Sequence, residues 1–331
     1  MAIQRIEWLA LLRGLNIVLV VMYHVQLIDM TTGENHLFCT EICEPFNPIR
    51  MPLFVFCSGG LLYLSRIRKE WGVKRLYIDK VYRIVIPFLF FVTFYYFFKL
   101  SLNPFIKTKV IFSISDFLRS FCIYYNTPSA HLWYLTVLFI FMLLYPLFRW
   151  LCQQKVRMTV FLLLTMGYYF VDPNVSAEKN YFYLFSLQLF LVFFFFGIFF
   201  FRYELYHYLE TKTSLLITFV LYAVCFWYDI PLLSSLTGIL FMIALCQQLV
   251  KRYPTLFDSF REYIYQIYLM SFIFQPFVEL ILWKKLFYNE QLFLVFYVLN
   301  VLSGIYLPVI ICQYVEKSKL KWLKICLGLK P

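Results

Sequence analysis

The chain has 331 residues, of which 62% are hydrophobic, 22% are aromatic and 15% are charged, and its formal net charge at pH 7 is +12. An ordinary soluble domain has about 25% charged residues, so a water-soluble fold of this length could not hide so much apolar surface. The basic residues cluster in short connectors between apolar runs, which is typical of membrane topology and not of nucleic-acid binding.

Apolar runs of about 20 residues, enough to span the bilayer hydrocarbon, recur along the whole chain. They predict an all-α polytopic membrane protein with about ten transmembrane helices around a polar cavity, because the short alternating segments of a β-barrel are absent. The predicted crossings are about 6–28, 48–65, 82–102, 131–149, 157–172, 181–201, 213–229, 231–250, 262–283 and 291–313.

The connectors between these runs alternate in basic charge. One set holds 21 Lys and Arg residues and the other holds 8, which predicts that the first set and both termini are cytoplasmic. The connectors are short apart from 29–47 and 103–130, so we expect residues 1–331 to form a single integral membrane domain without an appended soluble domain.

The first crossing contains the stretch RGLNIVLVVMYH, residues 13–24. Eleven helical steps of about 100° place Arg13 and His24 on one face, about 16 Å apart along the axis. A charge near the bilayer centre costs roughly 2.5 kcal/mol or more, so this face is predicted to line a polar passage. The alternative is that Arg13 reaches the inner interface and that His24 lies among the outer headgroups. No small-residue cleavage site follows, so we expect a retained helix and not a signal peptide.

The second crossing, in FNPIRMPLFVFCSGGLLYLS, has an arginine at its outer end and two glycines at its inner end. The Gly59–Gly60 pair predicts close packing against another helix. Arg50 is predicted to orient an anion or a carbonyl oxygen, with an interfacial position as the alternative. In the preceding outer loop, a disulfide between Cys39 and Cys43 is left open.

Seven basic residues lie within the 18 positions 66–83. They could attract anionic lipids or bind the phosphates of a nucleotide-bearing donor. The outer end of the fourth crossing reads HLWYLTVLF, in which His131 and Trp133 are either loop and aromatic-belt residues or part of a site. In EYIYQIYLMSFIFQPF, tyrosines and glutamines must find partners within the helix bundle, because lipid offers none.

Taken in order, these segments resemble the membrane-bound acyltransferase family 3, which includes O-antigen acetylases and fucose 4-O-acetylase-like proteins. The resemblance runs from residue 5 to about residue 316, and five segments carry it: the Arg-x10-His pair of residues 13–24, RMPLFVFCSGGLLY, KVYRIVIPF, HLWYL and YIYQIYLM. The chain has Ser271 where many members have a late histidine. It also has Asp79-Lys80 where members often have paired basic residues.

The resemblance implies transfer of an acyl group, with acetyl from cytoplasmic acetyl-CoA expected, to a sugar hydroxyl of a surface or lipid-linked polysaccharide. In that scheme His24 is the general base, Arg13 holds the donor arm and Arg50 stabilises the oxyanion. The phosphates would be bound by Arg66, Arg68, Lys74, Arg75, Lys80 and Arg83. His131 and Trp133 are acceptor-side candidates, and no metal is predicted.

The expected location is the cytoplasmic membrane of a bacterium, with membrane lipids, acyl-CoA and a glycan as partners and no nucleic acid. Two other classes of function remain: an exporter of polysaccharide or lipid-linked sugar, and a membrane glycosyltransferase, which would rely on carboxylates that are sparse here. The acceptor sugar, the size of the acyl group and the oligomeric state are left open by the sequence.

Overall fold

The fold is described from a computed structural model that covers residues 6–28, 35–104, 111–123, 127–171 and 183–330. Within those ranges the chain is helical and no strand is found, although one isolated bridge joins Ile28 to Asn35. The α-helical prediction is therefore confirmed. Four cations of the charge argument, Arg5, Lys107, Lys109 and Lys179, lie outside the described residues.

The helices pack as two compact units, and the chain passes from one to the other after Cys57, at Arg202 and at Lys317. The single-domain assignment of residues 1–331 remains a prediction. The first unit comprises residues 1–57 and 203–317, and the second comprises residues 58–202 and 318–331.

The first unit is built on helix α1 and on the long carboxyl-terminal helices. Its helices are α1 (Glu7–Tyr23), α2 (Leu37–Glu41), most of α3 (Asn47–Leu62), α11 (Lys212–Trp227), α12 (Pro231–Arg252), α13 (Ile264–Phe277) and α14 (Phe293–Lys317). Helix α1 packs against α12, α13 and α14, while α11 packs on α12 and α13 packs on α14. A π-helix, Val278–Leu286, continues α13.

The second unit holds the helices of the middle of the chain and the last short helix. They are α4 (Val73–Lys80), α5 (Ile86–Ser101), α6 (Ile114–Arg119), α7 (Trp133–Leu143), α8 (Tyr145–Leu151), α9 (Lys155–Tyr169), α10 (Leu184–Arg202) and α15 (Lys321–Cys326). Its core is aromatic, with Phe148, Phe194 and Phe195 buried between α8, α9 and α10. The end of α3 and the start of α5 are joined to their neighbours by the π-helical turns Tyr63–Ile67 and Val81–Val85.

The predicted packing role of the second helix's glycines is confirmed. A Cβ on Gly59 would collide with the backbone carbonyl of Phe194, and one on Gly60 would collide with the ring of Phe201. Glycine is thus required here because α3 approaches α10 at backbone distance.

In the part of the chain that the structure describes, six helices are long and apolar enough to cross a membrane by length and composition: Leu37–Ile67, Val73–Ser101, Leu184–Arg202, Pro231–Arg252, Ile264–Leu286 and Glu290–Lys317. A seventh span is obtained if α7 and α8 count as one crossing, although they are bent by 55°. The bend falls beside Pro146, which has no N–H to continue the α7 hydrogen bonds.

The three other predicted crossings fall on α1, α9 and α11, which have 17, 15 and 16 residues. They lie at or below the lower limit of about 17 residues for a spanning helix. Ten crossings, and the polar cavity between them, therefore remain predictions.

The loop cysteines are free thiols. Cys39 lies in α2, Cys43 precedes a 3₁₀ turn, and both are buried. In this structure Cys39 and Cys43 are separate thiols and are not joined by a disulfide.

Candidate functional site

The candidate catalytic residues belong to α1 and α3 of the first unit. Helix α1 is regular from Glu7 to Tyr23, so it ends five residues before the end of the predicted crossing, and His24 follows as its C-terminal cap. Arg13 and His24 are both half-buried. The regular helix between them preserves the predicted spacing of eleven residues, or about 16 Å.

Arg13 and His24 each lie near one residue of α3. Arg13 lies within electrostatic range of Cys57, and Arg50 lies within electrostatic range of His24. On α3, Arg50 and Cys57 are seven residues apart, about two turns, so they also share a face. Each of the two α1 residues thus lies within electrostatic range of one residue of α3.

The His24 ring is fixed by aromatic neighbours. Its centroid lies 4.2 Å from that of Phe272 on α13, and 5.1 Å from that of Tyr23 in an edge-on arrangement. Aromatic pairs at these separations are attractive and directional. The imidazole is therefore held between α1 and α13 and has a defined orientation.

Arg50 stacks on the residue that precedes the histidine. Its guanidinium carbon lies 2.9 Å from the centroid of the Tyr23 ring. Its Nε and Nη1 atoms are buried and have no hydrogen-bond partner among the described residues. Buried donors without partners are rare in proteins, and they are typical of sites where a ligand completes the bonding.

The basic segment 66–83 lies in the second unit and gathers around one carboxylate. Arg66 Nη2, Lys80 Nζ and Arg83 Nε lie 3.3, 3.6 and 3.1 Å from the Asp79 carboxylate oxygens. Three cations share one anion, so the cluster keeps an excess positive charge. Asp79, which replaces a basic residue of the family pattern, is thus the centre that orients the cations.

Trp71 joins a fourth cation to this cluster. The guanidinium carbons of Arg66 and Arg75 lie 3.7 and 4.0 Å from the indole centroid. The Tyr145 hydroxyl donates to the Trp71 carbonyl oxygen at 2.7 Å and fixes the turn that carries the indole. Arg68 and Lys74, which were also predicted to bind donor, are exposed on the outside of this arrangement.

The acceptor-side candidates lie at the start of α7, also in the second unit. The His131 ring meets the buried Tyr95 ring edge-on at a centroid distance of 4.3 Å, and Trp133 packs on Phe190 at 5.0 Å. Both side chains are half-buried. These two ring contacts are aromatic packing, and the role of both residues in acceptor binding stays a prediction. Ser271, in the position of the family's late histidine, is buried in α13.

Tyr23, Trp71 and Phe272 were not predicted as site residues, because no motif or spacing distinguishes them from the other aromatic residues of the apolar runs. The sequence did predict that Gln275 has a partner, because a glutamine in an apolar helix must form its hydrogen bonds within the helix bundle. Its amide donates to the Val21 carbonyl oxygen at 3.0 Å. The identity of that partner could not be read from the sequence.

The long apolar helices and the absence of strands among the described residues define a helical membrane protein. The chain belongs to the acyltransferase family 3: the family model, described as an acyltransferase domain, matches residues 6–313. The resemblance drawn from five short segments is thereby confirmed, and membership supports acyl transfer as the activity. No curated protein and no solved structure matches the chain.

Proposed function

We propose that this protein transfers an acyl group, acetyl from acetyl-CoA, to a sugar hydroxyl of a surface or lipid-linked polysaccharide. Family membership supports acyl transfer in general. The observation that carries the finer proposal is the pair formed by His24 and Arg50. The imidazole is oriented and lies within electrostatic range of a guanidinium whose Nε and Nη1 have no hydrogen-bond partner in the described ranges.

His24 is the general base in this reaction. Imidazole is the side chain whose ordinary pKa lies nearest neutrality, so it can take a proton from a hydroxyl near pH 7. As it does so, the acceptor oxygen forms a bond to the thioester carbonyl carbon, and the carbon–sulfur bond of the donor breaks. Coenzyme A leaves as a thiolate and takes the proton from the imidazolium, which regenerates the neutral imidazole.

Arg50 supplies the electrostatic stabilisation for the same step. Negative charge develops on the thioester oxygen in the transition state, and donors that are already in place stabilise it without reorganisation. The unbonded Nε–H and Nη1–H groups of Arg50 are such donors. Arg13, on the same face of α1 as His24, would hold the polar arm of the donor.

The basic cluster around Asp79 in the second unit would bind the phosphates of the donor. Arg66, Lys80 and Arg83 are oriented by Asp79, and Arg75 is held beside them on Trp71. Charge-assisted hydrogen bonds from guanidinium and ammonium groups are the usual contacts to phosphate. Arg68 and Lys74 would add long-range attraction from the exposed surface.

The distribution of basic residues supports a location in the cytoplasmic membrane of a bacterium, with both termini inside. The Arg13 end of α1 then lies nearer the cytoplasm and the His24 end lies nearer the outside. The acyl group would then pass across the bilayer from a donor in the cytoplasm to an acceptor on the outer side.

The test is the acetylation of cell-surface glycans in a strain that lacks the gene and carries either the wild-type protein, His24→Ala or His207→Ala. His207 is the matched control, because it lies in the same unit, is exposed and pairs with Glu210 at 2.8 Å. Mass spectrometry should show the acetyl increment with wild type and His207→Ala and its loss with His24→Ala.

If the three proteins are present at equal levels in the membrane, the loss of acetylation by His24→Ala is a loss of catalysis and not of protein. Full acetylation by His24→Ala would remove the proposed base. Glycans that never carry an acyl group but fail to reach the surface would favour export.

A further inference from the structure

One face of α13 holds the end of α1 at two points. Phe272 packs on the His24 ring with a centroid distance of 4.2 Å, and the Gln275 amide nitrogen donates to the Val21 carbonyl oxygen at 3.0 Å. Residues three apart on a helix lie on the same side, so the two contacts come from one surface. The ring and the backbone that carries it are therefore held by the same helix.

The Val21 carbonyl is directly connected to the position of His24. It accepts the backbone N–H of His24 at 3.1 Å, in the tight last turn of α1. Carbonyls in the last turn of a helix lack their usual partners, and side chains that bond to them define where the helix ends. Gln275 thus stabilises the carbonyl on which the backbone of His24 depends.

Gln275 is itself tightly placed. Its side chain is 3% exposed, and its own carbonyl accepts the Asn300 amide at 3.3 Å. Gly304 leaves the necessary space, because a Cβ there would lie 2.9 Å from Val21 Cγ1 and 3.2 Å from Gln275 Cγ. Helices α1, α13 and α14 therefore meet at one point, where the amide has little freedom.

We infer that Gln275 and Phe272 are positioning residues that hold the His24 imidazole in register with the acceptor hydroxyl. The inference rests on the proposed function, in which His24 is the base. A general base must lie at hydrogen-bond distance from the proton that it removes, and a misplacement of about 1 Å can lower a rate about 100-fold. Neither residue needs to touch a substrate to have this effect.

The test compares Gln275→Met with Gln247→Met in the full-length protein reconstituted in lipid. Gln247 is the matched control: it lies in the same unit, is 3% exposed, donates to the Tyr206 carbonyl at 2.8 Å and also has a buried, unpartnered Oε1. Methionine keeps the side-chain length of glutamine but removes the donor in each case.

The readouts are kcat and KM for acetyl-CoA, with glycan from a gene-deleted strain as acceptor. For Gln275→Met we expect kcat to fall by roughly 10- to 100-fold while KM changes by less than about 3-fold, because orientation of the base and not donor binding is disturbed. For Gln247→Met we expect kcat to stay within about 3-fold of wild type.

A second variant protects the test against a folding failure of the first. Phe272→Leu keeps an apolar side chain against His24 but removes the ring, so it should show the same selective loss of kcat. The inference is overturned if both variants keep the wild-type kcat. It is also overturned if Gln275→Met and Gln247→Met show the same fall in kcat and the same change in KM. Full activity of His24→Ala would instead overturn the proposed function, whereas inactive His24→Ala beside fully active Gln275→Met and Phe272→Leu would overturn positioning alone.

Discussion

Replacing Arg50 with methionine separates the stability of this protein from its activity. The change removes the cation–π contact with Tyr23, which is worth about 0.5–2 kcal/mol. It also removes two buried nitrogen atoms, Nε and Nη1, that have no hydrogen-bond partner among the described residues, and each such donor costs the folded state about 1–3 kcal/mol. These opposing effects predict that Arg50→Met is as stable as the wild type or more stable.

The effect on activity should be large and of opposite sign. Loss of one donor to a developing oxyanion lowers kcat by about 10²–10³, or about 2.7–4 kcal/mol. Arg50→Lys should be intermediate, because the ammonium keeps the charge but lacks the planar arrangement of donors. A protein that is fully stable yet nearly inactive is the expected result.

The assay measures initial rates of transfer from labelled acetyl-CoA in reconstituted membranes, with thermal unfolding recorded on the same samples. Arg252→Met is the matched control, because that guanidinium also lies over a tyrosine ring, at 5.4 Å from the Tyr253 centroid, but is exposed. Its rate should match the wild type. A wild-type rate for Arg50→Met, or a loss of rate that only follows a loss of fold, would refute the role of Arg50.

Two further predictions concern the second unit. Arg83 is 48% exposed, and Arg83→Glu should raise KM for acetyl-CoA by about 10-fold or more. The control Lys321→Glu should leave KM unchanged. Equal KM values for the two variants would indicate that the cluster contacts lipid and not the donor. Gly59→Ala should destabilise the fold by about 1–3 kcal/mol through overpacking, whereas Gly167→Ala, with nothing within 4 Å, should be neutral or stabilising; equal thermal midpoints would contradict the close helix approach.

The sequence determined the class and the family of this protein. Apolar runs and connector charge are properties of consecutive residues, so they predict helices and membrane crossing without knowledge of the packing. The glycine pair at Gly59 and Gly60 was also readable, because absence of a side chain in an apolar helix has few uses other than close approach. Five short motifs, in the order observed, were enough to identify the acyltransferase family.

The tertiary structure decided which groups meet. The Gln275 amide and the Val21 carbonyl are 254 residues apart in the chain, and the three cations around Asp79 are paired by the turn geometry between α3 and α5. The bend between α7 and α8 beside Pro146 and the early end of α1 at Tyr23 also became visible only in three dimensions. Local patterns specify that a polar group in an apolar helix needs a partner, but the choice of partner depends on how distant helices pack, and no local pattern encodes that.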